Sequence, residues 1–498
     1  MTLTVLVTGA TGYIGGRLVP RLLAEGHAVR AMTRHAGRLR DVPWAEQVEI
    51  VEADALGGDG LDAALVGVDV AYYIVHSLGQ APEFEETDRR AAKAFGAACF
   101  AAGVSRIVYL GGLVPAHEEL SPHLASRAEV GQVLLDSGVP TAALQAAVII
   151  GSGSASFEML RYLTERLPAM ITPKWVNSRI QPIAVRDVQR YLVAAATLPA
   201  DVSRRFDIGG PEVLTYLQMM QRYAKVAGLR KRLIIPVPLL TPRLSGHWVN
   251  VVTPVPAALA KPLVRSLVNE VICSEDDIKR YVPDPPEGLL GFEDSVSLAL
   301  LRIKEAAVET RWSSATWPGA PSDPLPTDPD WAGGSLYEDR RTLLVDAAPQ
   351  DLWRVIEGIG GEHGWYSFPL AWAVRGQLDK LVGGVGLKRG RRNPDQLYVG
   401  ESLDFWRVEE IIDGKLLRLR AEMKVPGAAW LELGVETDSA GGTVFVQRAL
   451  FHPRGLAGHA YWWAVWPFHG VVFGGMLANI GGAAHRASAQ RKAAARAT

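Results

Sequence analysis

Residues 8–16 read Thr-Gly-Ala-Thr-Gly-Tyr-Ile-Gly-Gly, directly after the apolar run 3–7 and directly before a segment of helical period. Gly9 suits a tight turn, Gly12 lets the main chain approach a ligand closely, and Gly15 lets strand and helix pack against each other. A helix starting at this point offers unpaired N–H groups and the positive end of its dipole, a ready place for a phosphate. A glycine triplet alone is a weak signal. Here it stands between a strand and a helix and opens a long alternation of the two.

Working outward, the runs 5–7, 28–32, 48–51, 70–75, 106–110 and 142–150 are rich in Val and Ile, and amphipathic segments such as 15–25 and 88–102 lie between them. Near-continuous apolar strands separated by helices imply a parallel sheet covered on both faces. The first domain is therefore α/β and is placed at 1–310. Residues 311–334 contain five prolines and little periodicity, which reads as a semi-rigid linker. Beyond it the period changes. Strands are expected at 342–345, 416–423, 430–436 and 443–451, a helix at 349–359, and a last apolar helix from about 461. This second, α+β domain is placed at 335–490, an antiparallel meander with one buried face. A basic tail occupies 491–498.

Composition limits the function classes. A chain of 498 residues exceeds what one core can hold. With 52 basic against 53 acidic residues the net charge is −1, so the broad basic surface on which nucleic-acid binding relies is absent. Cys99 and Cys273 stand far apart without a Cys-x-x-Cys partner, which excludes a disulfide framework or a thiolate metal site and points to a reducing compartment. The opening run lacks the basic residues and cleavage site of a signal peptide. The chain is expected to be cytoplasmic.

The second strand ends at Thr33-Arg34, with no acidic residue until Asp41. A dinucleotide without a 2′-phosphate is held there by a carboxylate, and one with it by arginine. Arg34 is read as that phosphate contact, favouring NADP(H) over NAD(H); a solvated loop arginine is the alternative. Asp54, closing the third strand, either meets the adenine ring or caps a turn.

These positions, together with Gln-Pro-Ile-Ala-Val-Arg-Asp-Val at 181–188, resemble an atypical short-chain dehydrogenase/reductase. The resemblance is to the NAD(P)H-binding subgroup that includes nitrogen-repressor-like sensors and complex I accessory reductase-like proteins, and it runs over about 3–300. It implies a Rossmann-type, doubly wound parallel sheet. It also implies cofactor contacts from Gly9, Thr11, Gly12, Tyr13, Ile14, Gly15, Arg34, Asp54, Ala55, Val75, His76 and Arg127. In that family a Tyr-x-x-x-Lys pair moves the proton and a serine at the preceding strand end orients the substrate carbonyl. Here Gly111-Gly112 stands where the serine is expected, and His123 and Arg127 fall on the tyrosine and lysine positions. Arg127 can hydrogen-bond a ribose but never loses its charge. His123 is either the general acid or an ordinary helix-start residue after Pro122, with Tyr109 and His76 as other donors. His117, Glu118, Glu119 and His123 do not make a metal site, because Pro122 interrupts any shared helical face.

Eight of the fourteen tryptophans lie in residues 335–498: Trp353, Trp365, Trp372, Trp406, Trp430, Trp462, Trp463 and Trp466. Such rings fill a core or line an apolar cavity. The element order resembles the START/Bet v 1-like (polyketide-cyclase-like) helix-grip fold over about 340–485, an antiparallel sheet around a long C-terminal helix. That resemblance implies a lipophilic small-molecule ligand. The strip Lys388-Arg389-Gly390-Arg391-Arg392 meets an acidic headgroup or partner, or is a solvated loop. Residues 461–483 carry no formal charge but include Pro467, His469 and Asn479. They are expected to form a buried or groove-lining helix, with weak membrane-surface contact or a membrane span as the alternatives. The leading expectation is an NADPH-dependent oxidoreductase acting on a small hydrophobic carbonyl, enone or quinone-type substrate. The alternative is a non-catalytic NADP(H)-binding redox sensor or assembly protein.

Overall fold

The computed structural model describes residues 2–40, 42–57, 59–75, 84–115, 120–237, 252–306, 327–329, 334–360, 364–366 and 397–497. His76, His117, Trp372 and the basic strip 388–392 lie outside them, as does most of the proline-rich segment. The chain divides into two units, Met1–Gly334 and Ser335–Thr498.

In the first unit seven strands form one sheet: β1 (Thr4–Val7), β2 (Ala28–Thr33), β3 (Glu49–Glu52), β4 (Val70–Tyr73), β5 (Arg106–Gly112), β6 (Thr141–Ala146) and β7 (Arg204–Ile208). Their order is β7-β6-β5-β4-β1-β2-β3, and every pairing is parallel. The helices are α1 (Tyr13–Ala24), α2 (Asp59–Leu65), α3 (Phe84–Ala101), α4 (Pro122–Leu135), α5 (Ala155–Arg166), α6 (Val185–Ala195), α7 (Tyr216–Val226), α8 (Ala257–Ser266) and α9 (Phe292–Ala306). Leu18, Leu22, Val188 and Leu192 of α1 and α6 bury one face of the sheet against Val5, Val7 and Tyr72. Leu61, Phe95 and Leu134 of α2, α3 and α4 bury the other against Leu6, Tyr73 and Ile107. Alternate strand residues thus serve opposite cores, which is why the strands read as unbroken apolar runs. Chain direction across the sheet reverses between β1 and β4, and ligands enter the crevice outside the carboxyl ends of strands at such a point.

The sixth apolar run extends to Ile150 in sequence, yet β6 ends at Ala146. Ile149–Ile150 instead pairs with Ile183–Ala184 at the base of a separate lobe. That lobe has its own core of Phe157, Leu160, Met219, Tyr223, Val264 and Val296 from α5, α7, α8 and α9. Its backbone is tied by two further short ladders, Leu214–Thr215 against Arg179–Ile180 and Leu233–Val237 against Ala169–Pro173. The described piece of the proline-rich segment is anchored. Asp328 accepts two hydrogen bonds from Arg17, at 2.9 and 2.6 Å, with the two side chains only 12% and 2% exposed.

The second unit carries β8 (Tyr337–Val345), α10 (Pro349–Glu357), β9 (Ser402–Leu403), β10 (Trp406–Ile412), β11 (Leu416–Ala421), β12 (Gly427–Thr437), β13 (Thr443–Pro453) and α11 (Gly455–Ala497). The six strands are antiparallel in the order β8-β13-β12-β11-β10-β9. Leu352 and Ile356 of α10 and Met476 and Ile480 of α11 pack with Leu417, Leu419, Leu431, Leu433 and Phe445 on one face. Two expectations change. The basic tail is not separate, because α11 continues to Ala497, as its alanine-rich sequence favours. The opposite sheet face is not simply solvated either. Across it runs an alternating charge ladder, one residue per strand: Glu338 to Arg448 at 2.8 Å, Arg448 to Glu432 at 3.1 Å, Glu432 to Arg418 at 2.9 Å, and Arg418 to Glu410. Arg418 is 1% exposed. Both cysteines are free thiols.

Removing the buried Arg418 guanidinium takes one charged partner from each of Glu410 and Glu432, while Glu432 keeps Arg448, at a cost of about 1–3 kcal/mol. Arg418→Leu is expected to lower the stability of the second unit by that amount in denaturant titration. Arg340→Leu, at an exposed position, is expected to change it by less than about 0.5 kcal/mol.

Candidate active site

The glycine loop closes because its parts lie too close for side chains. Gly9 has φ of +65°, a left-handed conformation that glycine adopts without strain. A Cβ on Gly15 would lie 2.3 Å from the Gly9 carbonyl oxygen, and one on Gly9 would lie 2.6 Å from that of Ile74. Beside the loop, the Thr8 hydroxyl donates to the Tyr72 carbonyl at 2.9 Å and accepts the Ile74 N–H at 2.9 Å. This clasp ties the ends of β1 and β4 together at the switch point.

A cleft of about 350 Å³ opens there. Gly12, Tyr13, Ile14 and Gly15 line one side of it, Gly111, Gly112, His123 and Arg127 another, and the rest is mostly aliphatic, with Leu110, Leu113, Leu124, Val148, Leu259 and Leu263 beside the polar Ser154, Ser156, Tyr216 and Ser266. The first N–H groups of α1 have no intrahelical partner and start at Tyr13, on the cleft. The Tyr13 hydroxyl is buried with no hydrogen-bond partner among the described residues. Burial raises its pKa, with the neighbouring Arg17 guanidinium opposing. Glycines kept bare, a helix N-terminus aimed at the cleft and an orphaned hydroxyl together fit the diphosphate of a dinucleotide.

Of the residues expected from sequence, Gly12, Tyr13, Ile14, Gly15, His123 and Arg127 share this cleft. Gly9 shapes it from beneath, with Thr11 half-buried between them. Ala55 is buried and Val75 half-buried near the ends of β3 and β4. Arg34 is exposed at the end of β2. The Asp54 carboxylate accepts the Leu56 N–H at 3.0 Å, so it serves as a turn cap whatever else it meets.

His123 and Arg127 lie one turn apart on α4, which starts at a Ser121 cap with Pro122 in its first turn. His123 Nδ1 is 3.1 Å from the Ser266 hydroxyl on α8. Ser266 donates to the Pro262 carbonyl at 3.1 Å and lies 2.9 Å from the Ser121 hydroxyl. Ser266 thus holds the His123 ring through Nδ1, as donor or as acceptor according to the tautomer. Sequence inspection had no signal for Ser266, which is 143 positions from His123. Arg127 donates to the Leu110 carbonyl and holds its guanidinium 5.6 Å from the Tyr109 ring centroid.

Tyr109 is not the donor that the sequence offered. Its hydroxyl is buried and donates to the Arg127 carbonyl at 3.0 Å, and burial raises its pKa, partly offset by Arg127. Its ring also explains the absent serine, since a Cβ on Gly111 would lie 2.8 Å from Tyr109 Cε1. The tyrosine occupies the volume that a side chain at Gly111 would need.

A family model described as NAD(P)H-binding matches residues 9–150, and one for a protein of unknown function, DUF2867, matches residues 331–476. The N-terminal unit therefore carries an NAD(P)H-binding domain of the kind the sequence resembles. The chain is 27% identical to a (4-alkanoyl-5-oxo-2,5-dihydrofuran-3-yl)methyl phosphate reductase of Streptomyces griseus, over 45% of this chain and 74% of that protein. It is 28% identical to a ceramide reductase of Caulobacter vibrioides, over 46% of this chain and 72% of that protein. The structure of a triphenylmethane reductase of Citrobacter sp. is 20% identical and superposes with a TM-score of 0.49, covering 60% of this chain and 99% of that one.

Gly111→Ser, which restores the family's residue type, is expected to destabilise the first unit by about 1–3 kcal/mol, the usual cost of overpacking. Gly112→Ser meets only the Leu124 Cδ2 methyl, at 3.2 Å, and is expected to cost less than half as much. Thermal denaturation of the two variants checks the difference.

Proposed function

We propose that this chain is an NADPH-dependent oxidoreductase that reduces a small hydrophobic carbonyl, enone or quinone-type substrate. The observation that carries this reading is one continuous cleft. It runs from the bare glycines at the start of α1 to His123 and Arg127, and its remaining wall is mostly aliphatic, interrupted by Ser154, Ser156, Tyr216 and Ser266. Similarity to reductases, one of them named for a ceramide, supports the same class.

In this reading the amides at the start of α1 hold the diphosphate, Arg34 the 2′-phosphate, and Arg127 a ribose hydroxyl through N–H groups not used on Leu110. The bound cofactor supplies the hydride. His123 would give a proton from Nε2 to the substrate oxygen, while Ser266 fixes the ring through Nδ1. The mostly aliphatic wall excludes water and receives the apolar part of the substrate. The second unit, with its antiparallel sheet and long helix, is proposed to be of helix-grip type and to bind the lipophile. NADP(H) over NAD(H), action in the cytoplasm and the lipophilic partner are parts of the same proposal.

One observation favours a second reading. Arg127 stands in place of lysine, is committed to the Leu110 carbonyl and cannot relay a proton. A chain that binds NADP(H) without turnover would act as a redox sensor, and would then need different affinities for the two redox states.

Two variants test the proposal. Arg34→Glu is expected to raise the NADPH Kd about tenfold or more, the worth of a hydrogen bond to a charged group, while leaving kcat intact and NADH binding unharmed. His123→Ala is expected to lower kcat about 10²–10⁴-fold, the usual contribution of a general acid, with NADPH affinity retained. Tight NADPH binding without turnover on a panel of lipophilic ketones, enones and quinones would remove the reductase and leave the sensor.

A further inference from the structure

The long helix α11 is held to its sheet by one side only. Trp462 stacks on Tyr337, with ring centroids 5.0 Å apart and planes 6° from parallel, and on Phe451 at 5.9 Å. Phe473 and Met476 continue that buried side. On the opposite side Leu456, Ala460, Trp463, Pro467 and Val471 recur at helical spacing and are all exposed. A helix of a water-soluble surface carries polar residues in this stripe. Here Trp463 is 62% exposed and the flanking Phe468 66%, and no Asp, Glu, Lys or Arg occurs from Gly455 to His485.

Charge says what covers this stripe. The last 60 residues, 439–498, contain no Asp or Glu and six Arg or Lys. Arg454 precedes the helix, Arg486 and Lys492 follow the stripe, and all three are exposed. Arg491 is already paired with Asp351 at 2.9 Å. An uncharged, tryptophan-bearing face flanked by cations and free of carboxylates complements an anionic lipid surface, where indole rings sit at headgroup level and basic side chains reach phosphates. A second copy of the chain would bring the same cations together. Among the described residues no helix is long and apolar enough to cross a membrane. The buried side of α11 is in any case occupied by the sheet, so a span is not the arrangement.

We propose that the N-terminal half of α11 docks the protein on the surface of anionic membranes, with Trp463, Phe468 and Val471 entering the interface. Docking of this kind is independent of cofactor chemistry and stands or falls separately from it.

Flotation of the full chain tests it, with vesicles of phosphatidylcholine alone and of an equal mixture of phosphatidylcholine and phosphatidylglycerol. The chain is expected to float with the mixed vesicles and to remain below with the neutral ones. Trp463→Ser/Phe468→Ser/Val471→Ser is expected to abolish flotation while the chain still unfolds cooperatively on heating and binds NADPH as before. Arg486→Ala/Lys492→Ala should weaken partitioning roughly fivefold per charge, as each cation near such a surface is worth about that factor. Absence of flotation with either vesicle overturns the proposal, and equal flotation with both overturns the anionic assignment. A doubled mass in light scattering that the triple variant halves, without flotation, assigns the stripe to a second copy and overturns it as well.

Discussion

The first unit depends on one close approach of backbone to backbone. At the end of β1 the chain turns through Gly9 and enters α1 with Gly15 lying over the Gly9 carbonyl, where a methyl group would sit 2.3 Å from oxygen. That contact sets the depth at which α1 packs on the sheet, and so where its free N–H groups point. The Thr8 clasp then fixes β1 to β4 by way of the Tyr72 carbonyl and Ile74 N–H. Everything lining the cleft is referred to this corner. The glycines leave room for a diphosphate, β4 and β5 end beside them, and α4 carries His123 and Arg127 to the opposite wall.

A second constraint is the packing of Tyr109. Its ring fills the volume above Gly111 and its hydroxyl donates to the Arg127 carbonyl, so strand end and helix are tied together at the position where the sequence resemblance implied a serine. His123 reaches the cleft from α4 and is oriented from a different element by Ser266. The His123–Ser266 contact joins α4 to α8, and α8 belongs to the lobe rather than to the sheet.

What was legible in the sequence followed the physics of local pattern. The strand–glycine–helix opening, the parallel strands and the change of period after the proline-rich segment are short-range signals, and each appears as an element of the structure. The extent of β6 was misread, because a continuous apolar run from 142 to 150 does not reveal that the chain leaves one ladder at Ala146 and joins another at Ile149. Tyr109 looked like a spare donor because nothing local shows that its hydroxyl is buried on Arg127. Ser266 and Asp328 were invisible as partners of His123 and Arg17, since both pairings join positions far apart in the chain. The charge ladder of the second unit was hidden in the same way. Alternating polar residues read as a wet face, whereas Arg418 and Glu432 are buried across strands from each other.

Amide hydrogen exchange of the full chain with and without NADPH tests the central claim most directly. Slowed exchange confined to residues 8–16, the ends of β4 and β5 and the first turns of α4 is the result expected if the dinucleotide lies along the bare glycines and reaches His123. Unchanged exchange at 8–16 under saturating NADPH, or protection only elsewhere, would contradict it.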